Sequence, residues 1–215
     1  MLAPFLLVGV GGSGGKSLRT ARADLERRLA TLGWDEGFPE AWQFIHIDVP
    51  TTPDGNSPDL PGGLPAGSYR GLVGSGVDYL TVDRVLTQAL NAPTALAATA
   101  GWRPLAQQVS VPIDRGAGQF RAIGRVIALT HLKDVKAAIE SSVARLRGPE
   151  VKGQLQRVAA LLGADEKQAT PEPTVLLISS IAGGSGAGAV IDVAWAMRAC
   201  GIPADIMTTI LYAPD

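Results

Sequence analysis

Apolar residues run without interruption from Phe5 to Val8 and resume at Val10, and the segment FLLVGV then breaks into glycine. Such a run predicts a strand buried on both faces. Behind it, Leu18, Leu25, Leu29 and Leu32 recur at helical spacing, with Arg19, Arg22, Glu26 and Arg27 between them. This predicts a helix packed on a sheet by one face and closed by Gly33. The segment WQFIHID reads as a second strand ending at Asp48. Residues 50–79 are largely Pro, Gly, Ser and Asp with little periodicity, which reads as a long surface excursion.

The pattern then returns. DYLTVDRVLTQAL predicts a helix with Leu80, Val85, Leu86 and Leu90 facing inward. From Phe120 to Arg147, the spacing of Ile123, Ile127, Val135, Ile139, Val143 and Leu146 predicts one long amphipathic helix. VKGQLQRVAALLG predicts a shorter one, stopped by the prolines of TPEPT. VLLISSI reads as a buried strand, Val190 to Cys200 as a helix with Trp195, at helical spacing from Ile191, in the core, and ADIMTTILY as a last strand. Buried-type strands alternating with helices predict an α/β fold, a Rossmann-like parallel sheet with helices on both faces. Sheets of that kind bind ligands at the C-terminal ends of their strands.

Composition narrows the function classes. The chain has 215 residues, which suits one domain spanning 1–215, and a net charge of -1, which lacks the basic footprint of a nucleic-acid binder. The single Cys200 suits a reducing, cytoplasmic setting, and no apolar run approaches the length of a membrane span. His46 and His131 fit packing or surface roles, and no Cys/His spacing supports zinc. The glycine content is the outlier, at 26 residues. Five lie between Gly9 and Gly15, three between Gly116 and Gly124, four between Gly183 and Gly188, and seven in the excursion. All three tight clusters precede a predicted helix, and two directly follow a strand.

A helix start offers unpaired N–H groups and the positive end of a dipole, and glycine lets a phosphate approach them. The first cluster, VGVGGSGGKS, also fits G-x-G-x-x-G through Gly9, Gly11 and Gly14, with Asp48 as the acidic residue of a dinucleotide site. That alternative, an NAD(P)-binding oxidoreductase domain, leaves the other two clusters unexplained, and Asp48 lies beyond the usual spacing. A Walker A loop is excluded because Val10 stands where that motif needs glycine.

Taken together, the three clusters resemble the tubulin/FtsZ superfamily, in a divergent bacterial tubulin-like branch. GVGGSGGKSL is similar to that group's first nucleotide loop, AGGSGAG to its G-G-G-T-G-[ST]-G phosphate loop, and GAGQFRAIGR to its third loop. Asp48 falls where the second loop begins. The resemblance implies a GTP/GDP site with Mg²⁺, formed by Gly11, Gly12, Ser13, Gly14, Lys16, Asp48, Gly116, Ala117, Gly118, Gln119, Arg121, Gly183, Gly184, Ser185 and Gly186. Ala182, Ser185 and Ala187 depart from the phosphate loop's Gly, Thr and Ser/Thr, and Lys16 replaces an asparagine. The resemblance further implies self-association into filaments through the nucleotide face. The family's central helix, its second domain and the acidic loop that completes hydrolysis would lie beyond Asp215.

Overall fold

The computed structural model describes residues 2–55, 57–164 and 172–213. Part of the TPEPT stop, Thr170 and Pro171, lies outside them. The elements are β1 (Phe5–Val10), α1 (Gly11–Thr31), β2 (Trp42–Asp48), β3 (Tyr69–Gly71), α2 (Tyr79–Leu90), α3 (Pro93–Thr99), α4 (Arg121–Thr130), α5 (Leu132–Leu146), α6 (Glu150–Leu161), β4 (Thr174–Ser180), α7 (Gly184–Ala199) and β5 (Met207–Tyr212). They form a five-stranded sheet in the order β3-β2-β1-β4-β5. Every pairing is parallel, with Phe5 of β1 opposite both Trp42 and Thr174. This is the Rossmann-like α/β architecture expected from the alternating pattern.

The apolar run of β1 explains its central place. Leu6, Val8 and Val10 point into a core shared with α2, α4, α5 and α7, while Leu7 points into a second core with Leu18, Leu29, Phe44, Leu155 and Val158. A strand covered on both faces has no polar alternation to show, and so reads as a continuous run. No helix among the described residues is long and apolar enough to cross a membrane.

Several local expectations give way. The excursion is more than a surface loop: it contains β3, paired to β2 at His46 through Asp48, and it buries Leu72 and Val73. Arg19, placed by sequence among polar residues, is 5% exposed. Its guanidinium donates to the carbonyls of Pro61 and Gly62 and more weakly to those of Asp54 and Gly55, fastening the excursion to α1. The single helix predicted over 120–147 is two, broken at His131. In α2 the buried residues are Tyr79, Val82 and Leu86, whereas Leu80 and Val85 face solvent.

The largest correction concerns α7. It begins six residues earlier than expected, and Trp195 is not core: it is 70% exposed, with Ile191 at 63%. The helix is apolar on every side, so spacing identifies which residues share a face but not which face is covered. The covered side carries Gly186, Ala189, Val193, Ala196 and Met197, and Gly184 and Gly188 leave the room that brings α7 against Gly124, Arg121 and Arg125 of α4. Ile191 and Trp195 instead line an open apolar groove of about 400 Å³ beside Leu211 of β5. Strand β5 is itself largely exposed.

Candidate functional site

β1 and β4 are neighbours, so the helices that follow them start side by side at one edge of the sheet. Their starts touch. Gly11 has φ +72°, a left-handed conformation suited to glycine, and a Cβ built on it would lie 2.7 Å from the Gly186 nitrogen. The third turn joins them from the α4 side. The Gly184 N–H donates to the Gly118 carbonyl at 2.7 Å, and a Cβ at Gly184 would meet the Ala117 and Gly118 oxygens at 2.7 Å. Gly116 packs by Pro50, just past the end of β2. All three glycine clusters and the end of β2 therefore surround one mouth.

The electrostatics of that mouth follow from its caps. α1 starts after Val10 and α7 after Gly183, neither of which supplies a side-chain hydrogen bond, and neither first turn carries an acidic residue. Among the described residues, each helix presents first-turn N–H groups that no side-chain cap closes, together with the positive end of its dipole. For α7, the Gly184 N–H is already taken by Gly118, leaving those of Ser185 and Gly186. Two glycines open onto free space. A Cβ at Gly183 would meet nothing within 4 Å, and one at Gly12 only the Asp54 carboxylate at 3.6 Å.

Fourteen of the fifteen residues singled out by sequence fall into two groups. Gly11, Gly14, Ala117, Gly184 and Gly186 are buried and make the close contacts that bring the turns together. Gly12, Ser13, Lys16, Gly116, Gly118, Gln119, Arg121, Gly183 and Ser185 are half-buried or exposed. Among the described residues, neither Lys16 nor Arg121 forms an ion pair.

Asp48 differs from both groups. It is buried, its Oδ1 accepts from the Val49 N–H at 2.7 Å, and its Oδ2 lies 3.7 Å from His46 Nε2. It works as a local cap at the end of β2. Tyr69 lies against His46, and burial, with the charges of Asp48 and Asp54, pushes its hydroxyl well above the usual tyrosine range.

Sequence reasoning missed three contributors. Ser179 Oγ donates to the Val10 carbonyl at 3.1 Å, tying the end of β4 to the start of α1. Its signal was a hydroxyl pair, Ser179–Ser180, at the end of an apolar strand. His46 packs beneath the first turn, and Arg19 holds the excursion beside it.

The residues present suit a phosphate group: bare helix starts and open glycines surround the mouth, and the exposed cations Lys16 and Arg121 belong to α1 and α4, whose starts adjoin it. They offer less to a metal. Among the described residues no cluster of three His, Cys, Asp or Glu side chains is placed to hold an ion. A Mg²⁺ ion here would take its ligands chiefly from phosphate oxygens and water, as that ion commonly does.

The model of a protein family described as tubulin like matches residues 6–215, nearly the whole chain. No curated protein matches it. Nothing in these comparisons favours the dinucleotide-binding alternative.

Proposed function

The chain belongs to the tubulin-like family, and from that premise we propose that it binds a guanine nucleotide, whose presence controls assembly of copies of the chain. One observation carries the reading: two helices without N-terminal caps, following adjacent strands, start against each other at an open mouth. The N–H groups of Gly12, Ser13, Ser185 and Gly186 hold the phosphates, and Lys16 and Arg121 add positive charge at the rim. Mg²⁺ shares the phosphate charge. The choice of guanine rests on the family; the described contacts argue for phosphate.

Assembly follows from the same face. A nucleotide at the mouth is reachable by a second subunit, so its phosphate state can alter the fit between copies. In this reading hydrolysis is completed by an acidic residue contributed on assembly, and the 1–215 chain turns GTP over negligibly on its own. Calorimetric titration of the chain with GTP, ATP and NADH, each with Mg²⁺, tests the reading. GTP binding without multiple turnovers is the expected result. Binding of NADH alone would reverse it.

A further inference from the structure

His46 sits in the middle of β2, only 5% exposed, directly beneath the first glycine turn. Its Nε2 lies 3.1 Å from the Gly11 carbonyl. A carbonyl only accepts, so this contact is a hydrogen bond when Nε2 carries the proton and donates. The ring reaches this carbonyl because residue 15 has no side chain: any Cβ there would overlap the imidazole. Tyr69 closes the other side of the ring, edge to face with centroids 5.0 Å apart, and the His46 N–H is anchored on the Ser68 carbonyl at 2.7 Å. The imidazole therefore has one place to sit, where α1, β2 and β3 meet.

In a trans peptide the C=O and the following N–H point in opposite directions. Holding the Gly11 carbonyl inward thus turns the Gly12 N–H away from the interior, at the residue whose surroundings are open. We propose that His46 is a positioning residue for phosphate binding, fixing the Gly11–Gly12 peptide through its Nε2–H while Gly15 makes the room for its ring. This rests on the nucleotide reading above. It assigns separate tasks within one glycine cluster: Gly12 faces the ligand, whereas Gly15 accommodates the side chain that aims it.

Two substitutions separate donor from filler. His46→Gln keeps an N–H donor at similar reach, whereas His46→Phe keeps a ring and loses the donor. With a fluorescent GTP analogue read by anisotropy, His46→Gln should bind within about threefold of the wild type. His46→Phe should bind about tenfold or more weakly, the worth of one lost hydrogen bond. Equal binding by folded His46→Phe and the wild type would overturn the role of His46 alone. Failure of the wild type to bind any nucleotide would overturn the function on which it rests. A second measurement needs neither ligand nor a stable variant. Long-range ¹H–¹⁵N spectra of the wild type should show the Nε2–H tautomer, and an Nδ1–H tautomer would contradict the proposal.

Discussion

Helix α2 and the pair α1 and α7 begin in opposite ways. The side chain of Asp78 accepts from the Thr81 N–H at 2.8 Å, an ordinary N-cap that closes the start of α2 and holds the Asp78 carboxyl below its usual range. α1 and α7 follow Val10 and Gly183, which supply no such bond, and their first turns are glycine, serine and alanine. α3, α4, α5 and α6 also begin without a side-chain cap, so what sets α1 and α7 apart is that their bare, glycine-rich starts meet at the ends of adjacent strands. The difference teaches where to look for a ligand: a bare start matters where a second one converges on it and glycine keeps the approach open.

The sharpest way to break this comparison is to disturb how the bare starts meet. Gly184→Ala places a methyl group 2.7 Å from two carbonyl oxygens of the neighbouring turn. It should cost about 3 kcal/mol and lower the melting temperature by roughly 6–12 °C, as followed by circular dichroism. An unchanged melting curve would mean the turns are not packed as described. Next in size is Gly183→Asp, which gives α7 the kind of cap that α2 has. The site is open, so the fold should hold or gain a few tenths of a kcal/mol. GTP affinity should nevertheless fall about 100-fold, close to 2.7 kcal/mol, because the carboxylate takes the N–H groups and repels the phosphate. Retained affinity would detach α7 from the site.

Removing the structural cap should do the reverse. Asp78→Ala is expected to cost about 1 kcal/mol in denaturant titrations and to leave GTP affinity unchanged. A matching loss of affinity would mean that capped and bare starts are not functionally distinct. The smallest effect is expected on the far side of α7. Trp195→Ser removes a side chain already 70% exposed, and stability should stay within about 0.5 kcal/mol. A loss of several kcal/mol would place that face in a core.

Much of the fold was legible because its central strands are apolar on both sides. β2 spans the residues read from WQFIHID, and β4 is within one residue of VLLISSI. The three glycine turns were legible one at a time. Their convergence was not, since it depends on strand order, which periodicity does not contain. The same limit hid β3, three residues held mostly by backbone bonds to β2. It hid Arg19 too, whose burial comes from carbonyls more than 30 residues away in sequence. Trp195 was misplaced because α7 is apolar all round, and the break at His131 because the apolar spacing continues across it.

The central claim is that the bare mouth holds a guanine nucleotide, and the nucleotide carried by the purified protein tests it most directly. Mass spectrometry of wild-type protein and Gly12→Val, prepared alike, should find GTP or GDP with the first and none with the second. The variant should fold normally, since only the Asp54 carboxylate approaches that site. No guanine nucleotide on the wild type, or equal amounts on both, would contradict the account.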